Sequence, residues 1–158
     1  MDLQSPHVKL GLAWVGIAIA IGLHVSDEAL TGFLSVYNPT VIEARHRWSW
    51  FPMPTFTFKP WLVGLIAAVI VLLLLSPLAF RGVRWIRPIA YVVSAVMLLN
   101  AMGHTLATIL GRTFESVQFS RPAPGFYSSP VLLVASIYLL IQLRRTGASP
   151  VKRASAHA

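Results

Sequence analysis

His24, Asp27 and Glu28 stand at positions i, i+3 and i+4 in the run AIGLHVSDEAL, and Asn100 and His104 stand at i and i+4 in the run MLLNAMGHTLATIL. On helices, each set shares one face. Both runs are otherwise apolar. An ionisable group in hydrocarbon is costly unless it is paired, metal-bound or wetted by a cavity, so these five residues mark a candidate site. Two imidazoles and two carboxylates (His24, His104, Asp27 and Glu28) are donor types that zinc, iron or manganese accept. Helical bundles build metal sites from such inward-projecting side chains. Asn100 would stand behind them, orienting a carboxylate or a histidine tautomer by a hydrogen bond. The same residues also draw without a metal, with Glu28 and His104 as a catalytic acid–base pair tuned by burial.

Each residue alone has a plainer account. A single histidine such as His104 reads as a core residue satisfied by its neighbours. Asp27 and Glu28 read as the solvated end of a shorter apolar run, and Asn100 as a bond between helices. Their joint occurrence at one depth favours a common site.

The elements that must position these groups follow from composition. The chain has 158 residues, of which 56% are hydrophobic and 11% charged, with a mean hydropathy of +0.68. That is the composition of a membrane protein. Apolar runs of about 18 residues or more read as spanning helices. Residues 61–80 carry no charge, and residues 89–110 carry His104 as their one ionisable group. Residues 10–30 are apolar as far as Leu23, and residues 126–143 are apolar but interrupted by serines and Pro130. The expected architecture is all-α, a four-helix transmembrane bundle. A single membrane domain over 10–143 lies between a short tail, 1–9, and a basic disordered tail, 144–158. The first and third spans both run outward, which brings His24–Glu28 and Asn100–His104 to similar depth near the outer leaflet.

The formal charge of +8 does not indicate nucleic acid, because the basic residues occupy loops and tails as membrane topology requires. With both termini inside, Lys9, Arg81, Arg84, Arg87, Arg144, Arg145, Lys152 and Arg153 are cytoplasmic. Arg45, Arg47, Lys59, Arg112 and Arg121 are outside. The excess of inner over outer basic residues favours N-in and C-in topology, as in a multi-pass protein of a bacterial cytoplasmic membrane. Membrane lipids, particularly anionic headgroups near the inner set, are the expected partners. The chain has no cysteine, which excludes disulfides and thiolate-ligated metals. Ala18-Ile19-Ala20 imitates a signal cleavage site, but the apolar run continues past it. Pro39 excludes Asn38-Pro39-Thr40 as a glycosylation acceptor. Small residues four apart, Gly16 with Ala20 and Gly22 with Ser26, suit close helix packing.

Residues 31–60 form the longest extramembrane stretch. Their prolines, with Trp48, Trp50, Phe51, Phe56 and Phe58, suit an interfacial segment. Glu43 and His46 have the Glu-x-x-His spacing of di-iron helices. Arg45 and Arg47 flank them and disfavour a cation, so this reads as an exposed turn. Glu115, Arg112 and Arg121 read as surface charges at the outer mouth, and His157 as incidental. No nucleophile elbow, phosphate loop or dinucleotide fingerprint is present.

The chain resembles the HXXEE-domain family of small integral membrane proteins. The likeness rests on His24-Val25-Ser26-Asp27-Glu28, on Asn100-Ala101-Met102-Gly103-His104, and on Arg121-Pro122-Ala123-Pro124-Gly125 before the last span. It covers about residues 10–143, with Asp27 standing where the family pattern has its first glutamate. The resemblance implies a buried polar site and supplies no substrate. Three functions fit: a metal-dependent enzyme acting on a lipid-soluble substrate, a metal-free acid–base isomerase similar in outline to the four-span sterol isomerases, or a non-catalytic membrane scaffold.

Overall fold

The structure, a computed structural model, describes residues 5–147. It is mainly helical: α1 (Pro6–Thr31), α2 (Leu34–Arg47), α3 (Phe58–Leu74), α4 (Ser76–Phe80), α5 (Ile86–Leu110) and α6 (Ser129–Gly147). A small antiparallel hairpin, β1 (Arg112–Phe114) and β2 (Val117–Gln118), follows α5. Three stretches are long and apolar enough to cross a membrane: Pro6–Thr31, Phe58–Phe80 and Ile86–Leu110. At about 1.5 Å per residue each exceeds the roughly 30 Å of a hydrocarbon core.

The expected run at 61–80 is a broken helix, because Pro77 lacks the N–H that would continue α3 into α4. Beside that break the Trp14 indole N–H donates to the Leu72 carbonyl at 2.7 Å. The fourth expected run, 126–143, is the helix α6, which begins later and continues through Arg144 and Arg145 to Gly147. Ser129, Pro130, Ser136, Gln142 and the two arginines dilute its apolar character, and it is not among the three spanning-length apolar helices. Residues 144–147, expected in a disordered tail, are therefore helical. The remainder of that tail, with His157, and residues 1–4 lie outside the described residues.

α1 is the axis of the molecule. Of its apolar window 61% is buried, against 11% for Phe58–Phe80 and 17% for α5. It packs on α6, α4 and α3, and α6 in turn packs on α5. Leu10, Trp14, Ile17, Ile86, Leu132, Leu139 and Leu143 fill the centre. The outward faces of α3 and α5 are apolar too: Val63, Ile70, Val92 and Leu99 are exposed. Apolar outer faces of this kind suit hydrocarbon surroundings.

The 31–60 stretch contains a helix that composition did not announce. α2 continues through Pro39 and is fastened to the chain after it. The Asn38 amide donates to the Phe56 carbonyl at 2.8 Å and accepts the Phe56 N–H at 3.0 Å. Tyr37 Oη donates to the Pro54 carbonyl at 2.9 Å.

The buried Trp14 sets a stability expectation. Trp14→Ala should cost about 3 kcal/mol or more through lost packing, whereas Leu12→Ala at a half-exposed position on the same helix should cost under about 0.5 kcal/mol. Thermal denaturation in detergent measures both. Equal losses would show that α1 is not the packing axis.

Candidate functional site

The site forms where α1 ends. Gly32 adopts a left-handed conformation, φ 76°, which glycine accepts without steric penalty. The Phe33 N–H then donates to the Glu28 carbonyl at 3.0 Å. This stop fixes Glu28 at the last turn and folds Phe33 back over His104, with ring centroids 5.6 Å apart.

His24, Glu28 and His104 are buried, at 1%, 5% and 7% exposure. His104 Nε2 lies 3.1 Å from Glu28 Oε1, and His24 Nε2 lies 3.4 Å from the same oxygen. The two imidazoles meet edge to face with centroids 4.8 Å apart. The Asn100 amide donates to His24 Nε2 at 3.0 Å. One donor atom from each of His24, Glu28 and His104 lies within 4.8 Å of the others, a spacing that one metal ion could bridge. Among the described residues this is the one such group.

Asp27 is not part of it. Its Oδ2 accepts both the backbone N–H and the hydroxyl of Ser128, each at 2.8 Å. The carboxylate thus sits at the start of α6, where exposed N–H groups favour negative charge. Ser128 Oγ also lies 2.8 Å from His24 Nδ1. A carboxylate only accepts, so the single Ser128 proton goes to Asp27 and Ser128 accepts from His24 Nδ1–H. That leaves His24 Nε2 a bare lone pair, which receives the Asn100 N–H and faces Glu28. Hydrogen bonding therefore assigns the His24 tautomer and turns its basic nitrogen into the group.

The segment before α6 closes the site. Gly125 has φ 81°, and a Cβ there would lie 2.8 Å from His104 Cε1 and 3.0 Å from Glu28 Cγ. Glycine is needed both for the turn and for this approach. The Gly125 N–H donates to Thr31 Oγ1 at 3.1 Å, and the Ala123 N–H to Thr108 Oγ1 at 3.0 Å. These bonds tie the segment to the ends of α1 and α5. A cavity of about 300 Å³ between α2 and α5, bordered also by Ala123 and Pro124, reaches His104 and Asn100.

The structure thus brings His24, Glu28, His104 and Asn100 together and places Asp27 one hydrogen-bonded residue away. Glu43 and His46 lie apart on α2. Glu43 pairs with Arg47 at 3.0 Å, a bond that holds its carboxyl below the ordinary range, and His46 is exposed. Among the described residues Glu115 forms no ion pair with Arg112 or Arg121. Sequence reasoning missed Ser128 and Phe33, and named Gly125 only as the end of the Arg121–Gly125 segment, with no role in the site. Ser128 did carry a signal, since serine ahead of Ser129-Pro130 is a helix-start pattern.

No family model, curated protein or solved structure matches this chain. Fold and site define a helical protein with three spanning-length apolar helices and a buried His–Glu–His group.

The proton assignment is testable. In chelator-treated protein at neutral pH, 15N spectra of labelled histidine should show His24 protonated on Nδ1. Ser128→Ala should move that proton to Nε2, where Glu28 accepts it. A His24 spectrum indifferent to Ser128→Ala sinks the assignment.

Proposed function

We propose that this chain is a four-span membrane protein in which His24, Glu28 and His104 hold one divalent metal ion, zinc, iron or manganese, and act on a lipid-soluble substrate. The observation that carries the reading is a set of three buried donors within 4.8 Å of one another, bordered by a cavity of about 300 Å³. Three protein donors leave a coordination position open, which distinguishes catalytic from closed structural sites. When bound, such an ion polarises a substrate oxygen or acidifies a bound water. The Asp27–Ser128 pair orients His24, so Asp27 leaves the ligand set and supports it from behind, while the Asn100 N–H would give up His24 Nε2 to the ion. The HXXEE-domain reading rests on these same residues.

The 3.1 Å contact between His104 and Glu28 favours a second reading, a metal-free acid–base isomerase with those two residues as the proton-transfer pair. The scaffold reading accounts for the contacts and leaves the adjoining cavity without a role.

Purified wild-type protein should contain one ion per chain by elemental analysis. His24→Ala, His104→Ala and Glu28→Gln should each lose the ion while circular dichroism stays helical. Asp27→Asn should keep the stoichiometry with affinity weakened about 10–100-fold. Wild type without stoichiometric metal transfers the function to the acid–base pair.

The fourth span is supported by where α6 begins and ends. Its start meets Asp27 at the far end of α1, and its Leu143 carbonyl accepts from Arg87 Nη2 at the start of α5, at 2.8 Å. α6 therefore runs the height of its neighbours. Arg81, Arg84, Arg144 and Arg145 gather at that second end, which the basic bias assigns to the cytoplasm and to anionic headgroups. Reporter fusions at Ala158 and near Pro54 should lie on opposite sides of the membrane. The same side for both excludes four spans with the termini inside.

A further inference from the structure

We infer that the His–Glu–His group serves two chambers divided by Phe33, a larger one that takes an uncharged lipid sideways from the bilayer and a smaller one that admits water to Glu28 from the outer interface. This rests on the proposed function and names what the site binds.

The larger chamber, about 300 Å³, lies between α2 and α5 and reaches His104 and Asn100. The smaller, about 150 Å³, lies beside α2 and the start of α3 and reaches Glu28. Phe33 lines both. Its ring is clasped between Trp61 and His104, with centroids 5.8 Å and 5.6 Å away.

Size and the surfaces they open to separate their contents. About 300 Å³ is at the lower bound of small-molecule sites. The smaller chamber falls below that range and has room for about five waters at roughly 30 Å³ each. No Lys, Arg, Asp or Glu lines the larger chamber, so a cationic headgroup inside it would find no carboxylate and an anionic one no lysine or arginine. Its wall includes Leu99, which is 68% exposed. Leu99 lies on the apolar face of α5 with Val92, Val96 and Leu106, all exposed, and a mouth on that face opens to acyl chains. The smaller chamber includes Glu28 and exposed Gly32 and Ser35 among Leu34, Phe58 and Trp61, so water would enter beside Gly32 and Ser35.

α2 makes the division testable at adjacent residues, since Ser35 lines the smaller chamber and Val36 the larger. The chain has no cysteine, so single cysteines report cleanly. In lipid nanodiscs, Ser35→Cys should react with a charged methanethiosulfonate reagent at least about tenfold faster than Val36→Cys, because reaction requires the hydrated thiolate. A long-chain alcohol bearing a diazirine should crosslink to α2 and α5.

Gly103 lines the larger chamber, and a Cβ there meets no atom within 4 Å. A side chain there can therefore start into the chamber, and Gly103→Leu should narrow it and abolish the crosslink. Gly64→Leu, equally unobstructed on α3, should leave it unchanged. Both variants should retain the metal content of wild type, so loss of lipid and loss of ion are read separately. A wild type that takes the alcohol but holds no metal keeps the chambers and removes the metal. Wild-type crosslinking in Gly103→Leu, or equal reaction rates at positions 35 and 36, overturns the inference.

Discussion

Glu28 is a carboxylate enclosed among apolar helices, and the structure is arranged around its need for partners. In a medium of low polarity an unpaired charge is expensive, so the donors must come to it. The hydrogen bond comes from His104 across on α5, and His24, one turn back on α1, packs its ring against the same oxygen. His24 in turn reaches α6 through Ser128. One carboxylate thus sets the register of three helices. The energetics are asymmetric. A buried pair adds little net stability over an apolar replacement, whereas removing one partner costs about 3–5 kcal/mol. The group consequently specifies an arrangement more than it strengthens one. In lipid, where apolar burial no longer drives helices together, such specification matters more.

The loops serve the same constraint. Gly32 ends α1 one turn after Glu28 and turns the chain so that Phe33 covers His104. Gly125 brings the other approach, letting backbone lie where any side chain would strike His104 and Glu28. α2 is then held in place by Asn38 and Tyr37 on one side and by a 2.7 Å hydroxyl contact between Thr40 and Thr113 on the other. The hairpin and α2 together cover the end of the bundle that holds the site.

The sequence disclosed the centre of this site because polar residues stand out against hydrocarbon. His24, Glu28, Asn100 and His104 were legible as two helical faces at one depth, and the runs 10–30 and 89–110 lie within α1 and α5. Asp27 turns to Ser128 and away from the His–Glu–His group for a geometric reason. Successive helical residues are about 100° apart, so Asp27 and Glu28 fall on opposite flanks of His24. One flank faces α5 and the other faces α6, a distinction that spacing alone does not make. α2 was hidden by Pro39, which argues against a helix interior, and by charges that remove any apolar periodicity. The strands at 112–118 are too short to leave a pattern. α6 was legible as an element, but its polar residues weaken it as a span.

The space beside the site separates a reacting group from a mere fastener. Dispersion between closely packed side chains is a principal attraction between helices in lipid. A bundle built only to hold register would close around His104 and Asn100. Instead, about 300 Å³ stays open against both. Gly103 shows that sterics do not exclude a small side chain here, because a Cβ would meet nothing within 4 Å. A glycine inside a helix also sacrifices about 1 kcal/mol relative to alanine. Packing and helix propensity are therefore both forgone at the one position on α5 that lies between Asn100 and His104 and opens onto the chamber. A bound molecule would restore the missing contacts, and its polar end would meet the group that the rest of the fold is built to hold.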